Sequence, residues 1–259
     1  MNVENPKLSI ITVCFNSEKT IERTIESVID QKYDNLEYII VDGGSTDGTI
    51  DIIKKHEDYI SKWISESDKG ISDAFNKGIK MATGELVGII NSDDCYTPGA
   101  FKKLIDAYEK DIDIYRGRII LWNTETGSRV SEAPTIGMPL TGLRVNVCHQ
   151  GVFVRKDAYE RYGLFDVSFK YNMDFDLLLR FEHNGAKSKF VDYDMAYFTM
   201  SGVTFSGFDK DQRQEMENII RKNGGTGADV WKYRIIKYTK LFLKRVIGID
   251  RILRMKNSV

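Results

Sequence analysis

Apolar and polar positions alternate along the first hundred residues in blocks that outline the secondary structure. Leu8–Val13 is a strand-length run rich in β-branched residues, and Ser17–Gln31 sets Ile21, Ile25, Val28 and Ile29 at helical spacing. Glu37–Val41 has strand character, Thr49–His56 helical character, and Ile60–Ser65 that of a short strand. Ile71–Met81 follows as a helix and Leu86–Ile90 as a buried strand. Strands alternating with helices of this length predict right-handed βαβ units and a parallel sheet. The polar residues Asn16, Asp42, Asp47, Asp68, Asp93 and Asp94 fall just after the strands. A parallel sheet carries all those junctions on one edge, where open α/β sheets bind ligands.

Beyond residue 110 the pattern loosens. Ile112–Leu121, Ser128–Ala133, Val152–Arg155 and Ser188–Asp192 have strand character, Met138–Val145 that of a loop, and Asp174–Asn184 that of a helix. Asn223-Gly224-Gly225-Thr226-Gly227 has the composition of a flexible link. No internal repeat or low-complexity stretch is present.

Composition narrows the class. A chain of 259 residues with 42% hydrophobic and 29% charged residues is neither disordered nor membrane-spanning. No apolar stretch approaches the roughly 20 residues a spanning helix needs. The polar Met1–Lys7 is unlike a signal peptide, and three scattered cysteines suit a reducing compartment, so a cytoplasmic location is expected. The net charge of −1 conceals an asymmetry: residues 228–259 carry nine Lys/Arg against two Asp, or +7, leaving −8 for the rest.

The strand Leu86–Ile90 delivers Asn91-Ser92-Asp93-Asp94 to the ligand edge. Adjacent carboxylates there suit a divalent cation holding a phosphate, although Asp94 could instead cap the helix that begins near Pro98. Val41–Thr49 is a strand ending in an acid and a glycine-rich turn. It lacks the Lys and Ser/Thr of a phosphate loop and the glycine spacing of a dinucleotide site. Asp42 there can accept a hydrogen bond from the ring N–H of a base, and Asp47 can cap the next helix. Asp68–Gly78 is a turn entering a helix, whose N-terminal amides and Lys69 would suit a diphosphate.

Taken in order, Ile11–Asn16, Val41–Thr49, Ser67–Ile79 and Gly88–Asp94 resemble the motifs of the family 2 glycosyltransferases, nucleotide-sugar-dependent enzymes with the GT-A fold. The resemblance spans about residues 7–200 and is most specific over 8–100. It implies an α/β GT-A fold: a mostly parallel central sheet flanked by helices, with a Rossmann-like nucleotide half and a C-terminal helical appendage. The implied layout is a catalytic domain at 1–205 (nucleotide-sugar binding at 7–110, acceptor half at 111–205) and a helical region at 206–259. The resemblance also implies that Asp42 contacts the base and that Asp68, Gly70 and Asn76 line the nucleotide pocket. The family's D-x-D motif falls on Asn91-Ser92-Asp93, so its first acid is Asn here, Ser92 lies within the donor site, and Asp93, with Asp94 beside it, is the expected ligand of Mg²⁺ or Mn²⁺. Met173-Asp174 occupies the place of the family's Glu-Asp pair, which makes Asp174 the expected general base and Asp176 its reserve. His149 either approaches the diphosphate or metal or is a hydrogen-bonded structural residue.

The expected activity is inverting transfer of a sugar from UDP or GDP to a saccharide hydroxyl, the acceptor being lipid-linked as in bacterial surface polysaccharide synthesis. From Trp231 the apolar positions Trp231, Ile235, Tyr238, Phe242, Val246, Ile249 and Leu253 recur at steps of three and four among many Lys and Arg. A basic amphipathic helix over 230–256 suits the anionic inner face of a membrane, or a second subunit in a homo-oligomer; no nucleic-acid partner is expected. Ser201–Gly207 has the composition of a lid over the donor. Two rivals remain. A nucleotidyltransferase would want a basic glycine loop after the first strand, which Val13–Ser17 does not supply. A non-catalytic scaffold draws support from Asn91, against Asp93 and Asp174.

Overall fold

The computed structural model describes residues 5–140, 147–200 and 210–247, the last eight as helix backbone only. The chain begins β1 (Leu8–Cys14), α1 (Ile21–Ile29), β2 (Leu36–Asp42), α2 (Thr49–Lys55), β3 (Lys62–Ser65), α3 (Ile71–Met81) and β4 (Leu86–Asn91). It continues β5 (Cys95–Tyr96), α4 (Ala100–Asp106), β6 (Ile114–Trp122), β7 (Arg129–Glu132) and β8 (Val152–Arg155). Then come α5 (Lys156–Tyr162), α6 (Met173–His183), β9 (Ser188–Thr199), α7 (Lys210–Lys222) and α8 (Gly227–Ile247).

The strands form one sheet in the order β3-β2-β1-β4-β8-β6-β9-β5, with β7 paired to β6. The first four are parallel, Leu8 sitting between Leu36 and Leu86. β8 then runs antiparallel to both β4 and β6, and β6 lies parallel to β9. Every residue of β1 is buried, as expected of a strand covered by helices on both faces. One face packs Ile11, Phe75, Leu178 and Phe181 with α3 and α6; the other packs Ile10, Ile25 and Phe101 with α1 and α4. Because β1, β2 and β4 run the same way, their C-terminal ends meet at one edge.

Three of the departures from the sequence pattern have a plain physical cause. The first helix starts at Ile21 rather than Ser17, since the Ser17 amide donates to Thr49 Oγ1 at 2.7 Å and its hydroxyl pairs with Ser92 Oγ at 2.7 Å. The last strand runs to Thr199, because pairing with β6 across a register shift at Gly117–Ile119 accommodates the polar Asp192–Asp194. Helix α5 has only two buried residues, Ala158 and Tyr159, too few to register as a period.

The C-terminal helices dock against the core. Ile219 of α7 is fully buried in the main core, and Val230 and Tyr233 of α8 pack with Ile220. The expected flexible link at 223–227 is a hydrogen-bonded turn: Asn223 Nδ2 donates to the Ile219 carbonyl at 2.9 Å and the Gly225 amide to Ile220 at 2.8 Å. With Ile219 and Ile220 both buried just ahead of it, that turn has little freedom. The suggested boundary at 205/206, the lid at 201–207, part of the loop at 138–145, and the tail beyond 247 lie outside the described residues.

Candidate active site

A cleft of about 1110 Å³ opens where β1, β2 and β4 end. Phe15, Asn16 and Ser17 after β1, Gly43 and Asp47 after β2, and Asn91, Ser92 and Asp93 at the end of β4 line it, with Asp68, Gly70 and Ile71 closing one side. Two glycines shape the cleft. A side chain on Gly43 would put Cβ 2.9 Å from Asp68 Oδ2, and Gly70 holds φ at +114°, where L side chains are strained. Phe15 is 62% exposed, an aromatic face left open on the cleft wall. Asp68 accepts from Lys77 Nζ at 2.6 Å.

A second cleft of about 660 Å³ adjoins the first and shares Gly70, Ile71, Asn91 and Phe198 with it. His149, Asp174, Lys170 and Tyr171 line this second cleft. His149 Nδ1 lies 2.8 Å from Asp174 Oδ2, and Nε2 lies 3.2 Å from Asn91 Oδ1. Burial by itself would lower the His149 pKa, but the charge and hydrogen bond of Asp174, with Asp94 and Asp93 behind it, raise it overall. Both ring nitrogens face oxygen acceptors, the arrangement an imidazolium satisfies.

The C-terminal helices reach this cleft. Glu215 of α7 accepts the backbone N–H groups of Lys170, Tyr171 and Asn172 at 2.7, 2.8 and 2.5 Å, bracing the entry to α6 just ahead of Asp174. Lys222 bridges Asp166 and Asp176.

The structure brings together Asp68, Gly70, Ser92 and Asp93 at the first cleft and Asp174 at the second. Four other candidates point elsewhere. Asp42 is fully buried and turns inward, accepting from the Gly44 and Ser45 amides and the Ser45 and Ser65 hydroxyls. Burial would raise its pKa, but those donors lower it overall, and the carboxylate shapes the turn after β2. Asn76 clasps the backbone of Phe165, donating to its carbonyl at 2.9 Å and accepting its amide at 3.0 Å, and so is a structural clamp. Asp94 is 1% exposed, its oxygens held by the Thr199 amide at 2.8 Å and Gln150 Nε2 at 2.6 Å. Burial first, then the Asp93 charge, raises its carboxyl to about 7, and its side chain is held inside the protein away from the lining of the first cleft. Asp176 is likewise buried, bonded to Lys222 and Asn223.

Among the described residues no cluster of three His, Cys, Asp or Glu could hold a metal ion alone. Asp93 on the cleft wall still fits a hard cation that brings phosphate oxygens as its other ligands, the usual mode for Mg²⁺. Sequence reasoning overlooked Phe15, since a single aromatic at a strand end is no signal by itself. It overlooked Glu215 as well, whose partners lie more than forty residues away.

Comparison with known proteins fits this geometry. The profile of glycosyl transferase family 2 matches residues 9–163. An uncharacterized glycosyltransferase of Rickettsia typhi is 30% identical over 193 residues, covering 70% of this chain and 60% of its own. YibD, an uncharacterized glycosyltransferase of Escherichia coli K12, is 27% identical over 224 residues, covering 80% and 64%. A chondroitin synthase of Escherichia coli is 34% identical over 113 residues, or 42% of this chain and 16% of that one. The chain thus spans less than two thirds of each of these three relatives. Among solved structures, residues 1–349 of Staphylococcus aureus TarS superpose with a TM-score of 0.70 at 17% identity, over 97% of this chain and 78% of that one. A mannosyltransferase of Pyrobaculum calidifontis in complex with GDP-Man and Mn²⁺ gives 0.63 at 15% identity, over 88% and 69%. The fold shared with these solved structures is the GT-A fold of glycosyltransferases. The chain belongs to glycosyl transferase family 2.

Proposed function

We propose that this glycosyltransferase moves a sugar from a nucleoside diphosphate to an acceptor hydroxyl with inversion, the acceptor being a lipid-linked saccharide of surface polysaccharide synthesis. The observation that carries the reading is the junction of the two clefts: Asp174 stands in one, Asp93 in the other, and Asn91, Gly70, Ile71 and Phe198 belong to both. A relative named as a chondroitin synthase supports the polysaccharide setting. Neighbours solved with UDP-GlcNAc or with GDP-Man and Mn²⁺ support a nucleotide-sugar donor.

In this reading the base lies against Phe15 and the diphosphate runs past Gly70 toward Asp93. With Mg²⁺ or Mn²⁺ bound there, Asp93 would hold it, and the ion supplies neutralisation of the departing nucleoside diphosphate. Asp174 takes the acceptor's hydroxyl proton as that oxygen bonds to the anomeric carbon and the carbon–phosphate oxygen bond breaks. One base and in-line attack give inversion. Ser92 supports the loop through its hydrogen bond to Ser17.

Helix α8 supports peripheral membrane attachment on the cytoplasmic side. Its Val230 and Tyr233 face the protein, while Trp231, Ile235 and Tyr238 are 64%, 42% and 55% exposed and Lys232 and Lys237 lie among them. An amphipathic surface of Trp, Tyr and Lys suits an anionic interface. No described helix is long and apolar enough to cross a membrane. Flotation with vesicles, compared with and without anionic lipid, checks the attachment; equal binding to both overturns it.

The donor is tested by thermal unfolding against a panel of nucleoside diphosphates, with and without Mn²⁺. A ligand at about 100 times its dissociation constant adds roughly 2.7 kcal/mol. A metal-dependent shift with one nucleotide is expected; no shift with any of them favours a non-catalytic scaffold.

A further inference from the structure

Among the described residues, the side chain of Asp174 has one hydrogen-bond partner, His149. That bond takes Oδ2, while Oδ1 is shielded from solvent and has no partner there. The rotation of the carboxylate is therefore set by His149. The imidazole is itself fixed on three sides. Nδ1 is on Asp174, Nε2 is on Asn91 Oδ1, and the ring of Phe75 packs edge-on with 5.0 Å between centroids. Asn91 is the last residue of β4, the strand that carries Asp93 to the donor cleft. Asp174, by contrast, belongs to α6, which reaches the sheet from the acceptor side.

We propose that His149 is a positioning residue that fixes the Asp174 carboxylate relative to the donor strand, by bridging Asp174 and Asn91. The inference rests on the reading of Asp174 as the general base. A reacting group must be held within about 0.5 Å of its productive place, and a 1 Å displacement can cost about 10²-fold in rate. Helix α6 by itself ties Asp174 only to the acceptor side. His149 refers it instead to the strand beside which the anomeric carbon must lie. The bridge acts on the transfer step and leaves donor binding alone, because both ring nitrogens are engaged by Asp174 and Asn91 and His149 lies outside the lining of the first cleft.

The two ends of the bridge can be separated. In His149→Asn the side-chain amide stands where Nδ1 stood and can still donate to Asp174, though it no longer reaches Asn91. In His149→Gln the longer amide reaches toward Asn91 but leaves Asp174. Both remove the ring from Phe75, and the shorter Asn fills less of the space left, so a packing role predicts the larger loss for Asn, the reverse of the order a bridge predicts. Steady-state transfer and donor titration would be measured for wild type, His149→Ala, His149→Asn, His149→Gln and Asp174→Asn. The expected result is a fall in kcat of about 10–100-fold for Ala and Gln, a smaller fall for Asn, and a donor KM within about twofold throughout. A loss for Asn equal to or larger than that for Gln, or a kcat within about threefold of wild type for all three, overturns the inference. If His149→Ala does not fold, the Asn and Gln pair decides. Normal transfer by Asp174→Asn instead removes the base reading itself, whereas an inactive Asp174→Asn beside unimpaired His149 variants overturns only the positioning role.

Discussion

The two halves of the site are built by different means. On the donor side, the polar groups after β2 are fixed largely by near neighbours in sequence, Asp42 by Gly44 and Ser45 and Asp47 by Thr49, and those after β1 lean on the same loop, Asn16 on Thr46 and Ser17 on Thr49. On the acceptor side they are fixed from afar: Asp94 by Gln150 and Thr199, the loop before α6 by Glu215, Arg116 by Glu182. Parallel topology alone opens the donor cleft, since three strand ends must arrive together. The acceptor cleft exists only while a few long-range polar contacts hold. Single substitutions should therefore disturb transfer more easily than nucleotide binding.

Asp174→Asn is the strongest break of that comparison. A general base contributes about 10²–10⁴ in rate, so kcat should fall by that range while the affinity for nucleoside diphosphate stays within about twofold. Calorimetric titration beside a transfer assay measures both. Equal loss of binding and turnover would mean that the two sides are not separable at all.

Glu215→Ala comes next. Glu215 is only 9% exposed, and its removal leaves three backbone N–H groups without their acceptor. A loss of about 2–4 kcal/mol in unfolding free energy is expected, with a fall in kcat of about 10-fold as the start of α6 loosens. Glu215→Gln, which keeps one acceptor oxygen, should fall between. A wild-type denaturation midpoint for Glu215→Ala would show that the acceptor side does not depend on α7.

The same contrast explains what could be read from the sequence. The strand and helix alternation through Asn91 was legible because each element announces itself locally, and Ile71–Met81 is a helix at those very bounds. The gathering of Asp68 and Asp93 followed from topology, and Gly70 and Ser92 were placed beside them by the family resemblance. Asp42 and Asn76 were misplaced because a motif fixes where a residue falls and leaves open which way its carboxylate or amide turns; inward hydrogen bonds decided both. Asp94 was misplaced because its partners, Gln150 and Thr199, are more than fifty residues on. Glu215 sits on a helix whose surface pattern looked like an appendage, and only the fold shows what it grips.

The donor half also has a buried charged anchor that reaches across several strands, and it tests the comparison from the other direction. Glu37 on β2 accepts from Ser9 Oγ at 2.6 Å, the Thr83 amide at 2.7 Å and Lys62 Nζ at 3.0 Å, tying β1, β3 and the turn before β4. Burial would raise its pKa, but these donors outweigh it and lower the value from 4.5 to about 2. Its contribution is therefore complete above pH 4.5 and lost as the pH falls toward 2, on the order of 2–3 kcal/mol. Glu37→Gln should lose that amount at pH 7 and flatten the acid limb of the stability curve in denaturant titrations. An unchanged acid limb would place the donor half's acid sensitivity elsewhere.

Asp94→Asn should have the smallest effect, and it separates anchoring from metal binding. The amide oxygen of that variant can still accept the Thr199 amide, but its NH₂ would face the NH₂ of Gln150. The Gln150 Oε1 atom is buried without a partner among the described residues, so turning that amide over supplies an acceptor for the new donor. Both residues then remain hydrogen-bonded, and the change in stability should stay below about 1 kcal/mol. The concentration of Mn²⁺ giving half-maximal transfer should not move, because Asp94 turns away from the donor cleft, whereas Asp93→Asn should raise it. A rise for Asp94→Asn as large as for Asp93→Asn would mean that the buried carboxylate swings out to the cation during turnover, and the anchor would then be a ligand after all.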